Sequence, residues 1–219
     1  FEPNEADLKF LIDDNGKNLL IKTDFVFNPE TGQYVLVATQ KKVLITNKKS
    51  SGYYDEKFAY TMFPTILKAG TYIEIEEYGT KNFMVVSEVS KSRFGEVNKN
   101  STYKGILRAC PFTIKHQIAD QGYGAGQLTE FPCYFIGQGY QFTSTQIINF
   151  ITTSEIFAFL QANEYTKYLP EGTRLIKFGK AWKIFGIDKT QEGILTWYCK
   201  EDTLDFEHDD VANEIAYNV

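Results

Sequence analysis

Cysteine and histidine are scarce and excess basic charge is lacking in this sequence, and each shortage removes a class of function. Only Cys110, Cys133 and Cys199 could form disulfides. An odd count at wide spacing argues against a disulfide framework, and three reduced thiols are the expectation. The two histidines, His116 and His208, stand far apart with no nucleophile-and-base pattern near either. No Gly-x-Ser-x-Gly, His-Glu-x-x-His, Walker loop or dinucleotide fingerprint occurs, so neither an enzyme nor a cofactor is expected. Structural zinc sites present ligands in closely spaced pairs, and His116 with the three cysteines offers none, so no metal is expected. No run approaches the length that spans a bilayer. The sequence opens at Phe1 rather than Met, which leaves room for residues upstream. Lys and Arg number 23 against 28 Asp and Glu, for a net charge of -5. A dedicated groove-reading nucleic-acid binder would be basic, so that class is disfavoured.

Aromatic residues are abundant, with 18 Phe and 14 Tyr in 219 residues. Both favour strands and bury much apolar area. Turn signals recur at short intervals: Asp14-Asn15-Gly16, Asn28-Pro29, Ala69-Gly70, Tyr78-Gly79, Gln121-Gly122, Glu171-Gly172 and Phe178-Gly179. Between such signals lie Leu19 to Ile21, Tyr34 to Val37, Val43 to Ile45, Tyr72 to Ile75, Phe83 to Val86, Leu175 to Phe178 and Trp182 to Ile187. Short apolar runs between turns predict an all-β fold with little helix. Asp13-Asp14-Asn15-Gly16 reads as a hairpin loop, because Asn-Gly accepts positive φ. Ser154 to Tyr165 fits a helix capped by Ser154 or a buried strand over Ile156 to Leu160. Periodicity alone leaves both open, and the neighbourhood favours the strand.

Two stretches share a layout. The first runs Leu67-Lys68-Ala69-Gly70-Thr71-Tyr72-Ile73, Tyr78-Gly79, Phe83-Met84-Val85-Val86, then Gly105-Ile106-Leu107 and Cys110. The second runs Leu169-Pro170-Glu171-Gly172-Thr173-Arg174-Leu175-Ile176, Phe178-Gly179, Trp182-Lys183-Ile184-Phe185, then Gly193-Ile194-Leu195 and Cys199. In each, a Gly-Thr turn launches a strand, a second Gly turns it back and a third strand follows, which is a meander. The expectation is two related small antiparallel β-barrel or sandwich modules, over 1–109 and 110–219, the second ending in an acidic segment.

Two segments are candidates for partner contact. The polar loop between Ser90 and Thr102 carries Lys91, Arg93 and Lys99, and long loops on stiff scaffolds commonly meet partners. The C-terminal segment carries Glu201, Asp202, Asp205, Glu207, Asp209 and Asp210, beside the apolar Val211, Ile215 and Tyr217. It reads as a solvated charged terminus or as a docking segment. Gly122-Tyr123-Gly124-Ala125-Gly126 lacks a following helix and reads as a loop rather than a phosphate cradle. Trp182 and Trp197 sit in strand-like runs and read as core.

A family resemblance rests on Leu44-Ile45-Thr46-Asn47, Tyr53-Tyr54-Asp55-Glu56-Lys57, Val85-Val86-Ser87-Glu88-Val89, Tyr103 to Cys110, Glu130-Phe131-Pro132-Cys133 and Asp209 to Ala216. These resemble virion structural proteins of tailed bacteriophages infecting Gram-positive bacteria. The Gly-turn, strand, Gly and aromatic pattern is similar to their head-closure (stopper) and connector proteins. The resemblance covers most of 44–216 and implies a non-enzymatic head-tail connector in the virion, assembled in the host bacterial cytoplasm. It implies a homo-oligomeric ring that meets portal or adaptor and tail proteins, lies close to packaged DNA, and has no membrane partner. The chain is longer than a simple single-barrel stopper. A different class, a β-barrel binding module for peptide or single-stranded nucleic acid, is the competing expectation.

Overall fold

A computed structural model describes residues 5–28, 33–47, 56–62, 65, 67–77, 80–90, 102–117, 128–137, 140–141 and 154–218. Strands dominate these residues, and the chain divides into two compact units. The first unit comprises 1–25 and 36–109, and the second comprises 26–35 and 110–219.

The first unit opens with a helix, α1 (Glu5–Asn15), followed by β1 (Lys17–Asn28), β2 (Gln33–Asn47), β3 (Glu56–Met62), β4 (Tyr72–Glu77), β5 (Thr80–Ser90) and β6 (Thr102–Ala109). The strands close into a barrel in the order β1-β2-β3-β6-β5-β4, sealed where Ile21 of β1 pairs with Ile73 of β4. Val43, Ala59, Ile73, Phe83, Val85 and Leu107 fill its core. On the other face of β2 and β3, Leu44 and Tyr60 receive Leu8 and Ile12 of α1.

That helix corrects the reading of Asp13 to Gly16 as a hairpin loop. Leu8, Leu11 and Ile12 stand at the i, i+3, i+4 spacing of one helical face. Gly16 ends the helix by donating its N–H to the Ile12 carbonyl at 3.0 Å. A Cβ at Gly16 would collide with that carbonyl, so the Gly serves close approach rather than a tight hairpin.

The second unit contains β7 (Phe112–Gln117), β8 (Leu128–Gly137), the short β9 (Tyr140–Gln141), β10 (Glu155–Gln161), β11 (Arg174–Lys177), β12 (Lys180–Asp188) and β13 (Ile194–Asp202). Its order is β7-β8-β10-β13-β12-β11, with β9 paired to β8. Setting β9 aside, this is the order of the first barrel, strand for strand. The two ends of the curled sheet approach each other, and Lys177 Nζ of β11 donates to the Thr113 carbonyl of β7 at 3.1 Å. Phe131, Phe135, Ile156, Leu160, Trp182 and Trp197 lead the core. The segment 154–165 thus contains a strand, β10, and both tryptophans are core residues, as expected.

The repeat is visible bond by bond. Gly70 N–H donates to the Val85 carbonyl at 2.8 Å, and Val85 N–H to the Thr71 carbonyl at 2.9 Å. In the second unit Gly172 N–H donates to Ile184 at 2.7 Å, and Ile184 N–H to Thr173 at 2.9 Å. Gly70 has φ 82° and Gly172 φ 93°, a region where a side chain is strained, which explains a Gly at both positions. Each return strand then carries a bulge. Val85 opposes Leu107 and the next pair is Ser87 with Ile106, which leaves Val86 extra. Ile184 opposes Cys199 and the next pair is Gly186 with Tyr198, which leaves Phe185 extra.

This register corrects one part of the sequence alignment. Gly105-Ile106-Leu107 occupies the ladder positions of Trp197-Tyr198-Cys199, not of Gly193-Ile194-Leu195. Gly193 lies in the turn before β13, and Cys110 lies just past β6 while Cys199 is inside β13. Ala59 faces Gly105 in one unit and Ala158 faces Trp197 in the other. The smallest and the largest residue types therefore fill equivalent places, and letter matching cannot align them.

Candidate functional site

The outer face of the second unit is unusually aromatic for a surface. Inward residues of β10 alternate with outward ones: Ile156, Ala158 and Leu160 are buried, while Phe157 and Phe159 are half-buried. The neighbouring strands add outward rings in register. Phe157 pairs with Tyr198 of β13, their rings edge to face at 5.2 Å. Phe159 pairs with Tyr134 of β8, their rings stacked at 4.7 Å with 3° between planes. Phe185, the bulge residue of β12, is 51% exposed and lies 6.2 Å from the Tyr198 ring. Phe185 points outward by ordinary alternation, after exposed Lys183 and buried Ile184, and the bulge shifts the pairing only beyond it.

A cleft of about 370 Å³ opens on this face, lined by Phe157, Phe159, Ile194, Thr196 and Tyr198, with Asp188, Thr190 and Gln191 at the end of β12 and the turn beyond. Asp188 is its one charged lining residue. Its carboxylate accepts the Thr190 N–H at 2.8 Å. Bonds from the Thr190 backbone and side chain, then from the Tyr198 side chain, hold its carboxyl below the usual range, so it is charged at neutral pH. No ion pair neutralises it among the described residues. An anionic point beside several aromatic faces suits a cation, which meets both a carboxylate and the negative faces of rings.

The acidic C-terminal segment has a different character, because Arg174 gathers much of it. Arg174 Nε meets Asp202 at 2.9 Å, and its two terminal nitrogens meet the two Asp209 oxygens at 2.9 Å each. The same guanidinium donates to the Thr203 carbonyl at 2.8 Å and the Tyr217 carbonyl at 3.0 Å. The Asp209 side chain has no exposed surface. Burial pushes its carboxyl up, but the bonds from Arg174 and from the Tyr217 and Asp205 backbone outweigh this and leave it below the usual range. Asn218 pairs with the Arg174 backbone in both directions, at 2.6 and 3.1 Å, as a neighbouring strand would. The segment therefore closes the free side of β11 at this point.

The remaining acidic residues are also placed. Glu201 meets Lys180 at 2.8 Å. Asp205 meets His208 Nδ1 at 2.8 Å and accepts the Glu207 N–H at 3.1 Å. Asp210 accepts both the backbone N–H and the side-chain amide of Asn213, at 3.0 and 2.7 Å. Glu207 is exposed, next to Phe206 at 84% exposure. The expected solvated terminus is thus folded, with Leu204, Val211 and Ala216 packed against Ile176 and Ala181. Lys91, Arg93, Lys99 and the Gly122 to Gly126 run lie outside the described residues. Sequence reasoning missed the outer aromatic cleft, although the alternation over Glu155–Gln161 carries the signal once that run is a strand.

Burial governs the other candidate chemistry. His116 is buried, its Nδ1 2.7 Å from the Tyr165 hydroxyl, and burial lowers its pKa to about 4. All three cysteines are free thiols and buried. Burial, first, and the neighbouring Cys110 raise the Cys133 thiol well above its usual range, and burial pushes Cys199 up to about 12. Neither is a ready nucleophile. Among the described residues no cluster of His, Cys, Asp and Glu is arranged to hold a metal ion.

Comparison with known proteins gives one match. Residues 90–200 match the model of the YomX C-terminal domain, just over half of the chain. No curated protein and no solved structure matches. The matched range holds β6 to β12 and all but the end of β13, and so includes every residue of the cleft.

Proposed function

The chain belongs to the YomX C-terminal domain family, a phage-associated family, and from that premise we propose that it is a non-enzymatic structural protein of a phage virion. Its station in this reading is the head-tail joint, as one component of a homo-oligomeric ring between portal or adaptor and tail proteins. It would be assembled in the host bacterial cytoplasm and would help join the tail and retain DNA. One observation carries the reading: a closed barrel and a curled, barrel-like sheet of identical strand order follow one another along the chain. Stiff tandem barrels suit ring walls, which need two different contact patches on each copy.

The reading has a direct test. Mass spectrometry of purified particles should find the chain in the virion, and its deletion should yield separate heads and tails under the electron microscope. Reversing Lys91, Arg93 and Lys99 to Glu should weaken joining while leaving the barrels folded. Removing 201–219 is a poor test of contact, because it takes away the Arg174 partners and the end of β13. Absence of the chain from particles overturns the proposal. The second reading, a binding module, gains from the cleft. A carboxylate at the rim repels nucleic-acid phosphate, so the cleft favours a peptide over a single strand.

A further inference from the structure

We propose that the outer cleft of the second unit is a binding site for an arginine side chain presented by a partner protein. The inference rests on the peptide-binding reading of the cleft and is independent of the chain's station in the particle.

Three observations meet at one place. The cleft is concave, about 370 Å³, with Phe157, Phe159, Ile194 and Tyr198 on its walls. Its single charged lining residue is the Asp188 carboxylate, which makes no ion pair among the described residues. That carboxylate is held in position, since one oxygen accepts the Thr190 N–H at 2.8 Å and the Tyr198 side chain also bonds to it. Charge complementarity selects a cation, and the rings select one that is flat and weakly hydrated. A guanidinium stacks on an aromatic face and can donate two parallel bonds to a carboxylate, whereas an ammonium is a strongly hydrated point charge. Its aliphatic stem would lie along the edges of the half-buried rings, as long cationic side chains do on apolar surface. Thr196 adds a polar group to the lining for the peptide that carries it. Phe185, 51% exposed on the neighbouring strand, offers that peptide an adjoining apolar contact.

The test uses the full chain, labelled with ¹⁵N and titrated with the capped tripeptide acetyl-Gly-Arg-Gly-amide, with the lysine and citrulline versions as controls. Saturable shifts in the amides of Phe157, Asp188 to Gln191 and Tyr198 are expected with arginine, weaker ones with lysine and none with neutral citrulline. Asp188→Asn keeps an oxygen for the Thr190 N–H and loses the charge, so it should fold as wild type. It should weaken arginine binding about threefold, as loss of one exposed ion pair would. Equal shifts with citrulline, or wild-type affinity in folded Asp188→Asn, would overturn the proposal. Preference for lysine would leave a cation site but overturn the guanidinium assignment. A folded wild-type chain with no saturable shifts would sink the site outright, without bearing on whether the chain is a virion component.

Discussion

His116 illustrates at the scale of one residue how burial sets both charge and stability. Its ring is buried beside the Tyr165 hydroxyl, and its pKa falls from 6.5 to about 4 through the loss of water. A histidine held neutral in the fold but free to charge when unfolded stabilises fully above pH 6.5. That contribution declines as pH falls from 6.5 toward 4, where the folded form also protonates. The full span of the shift corresponds to about 3 kcal/mol. Urea midpoints should therefore drop between pH 6.5 and 4, and His116→Gln should flatten that part of the profile. Asp188, Asp205, Asp209 and Asp210 act in a separate window. Their pKa values are lowered from 3.8, so their stabilisation is present above that value and is lost as pH falls through the lower folded values. An unchanged slope between pH 6.5 and 4 in His116→Gln would contradict the assignment. The sequence offers only one isolated histidine at 116; its environment comes from Tyr165, which folds against it from elsewhere in the chain and itself packs on Phe131.

At the scale of elements, the strands with alternating apolar residues or flanking Gly were readable, and the exceptions have physical causes. β3 was hidden because its inward positions include Lys57 and Thr61, both buried polar residues that break the apolar alternation. β8 was hidden in part by Pro132, which is tolerated because β10 pairs with β8 only from Tyr134 to Gly137, so at Pro132 the strand is paired with β7 alone. α1 was hidden because Asn15-Gly16 carries the signal of a hairpin, while the face of Leu8, Leu11 and Ile12 decides the outcome. Gly16→Ala tests that account. The added methyl would strike the Ile12 carbonyl, so the turn into β1 must shift and α1 should come away from Leu44 and Tyr60. A loss of about 1 to 3 kcal/mol is expected by urea denaturation, the range of backbone strain and partial loss of packing. Faster hydrogen exchange over 5–15 should accompany it. Wild-type stability and exchange in Gly16→Ala would mean that the close approach does not govern the helix end. The matched turns at Gly70 and Gly172 show the opposite case, where a local backbone demand was written plainly in the sequence at both sites.

The whole molecule consists of two units with one strand order, and its tryptophans offer a way to follow them separately. Trp182 and Trp197 are the two tryptophans of the chain, and both lie in the core of the second unit. Tryptophan fluorescence therefore reports the second unit, while far-ultraviolet circular dichroism reports strands in both. Arg174 is the place to act, since it binds Asp202, Asp209 and two carbonyls of the C-terminal segment. Removing it leaves the Asp209 carboxylate covered and without its cation, although two backbone N–H groups still reach it. Breaking one side of such a buried pair costs about 3 kcal/mol. In Arg174→Ala the fluorescence midpoint in urea should move down by an amount matching that cost. The dichroism should split into two phases, the later one at the wild-type position, because the first barrel has its own core of Val43, Ala59, Phe83, Val85 and Leu107. A single dichroism transition that moves with the fluorescence would show that the units unfold together. No movement of either signal would instead show that the C-terminal segment does not depend on Arg174. The double variant Arg174→Met with Asp209→Leu separates charge from packing. It removes both charges together and should recover only part of the lost stability, because the Asp205 and Tyr217 N–H groups then lose their Asp209 acceptor.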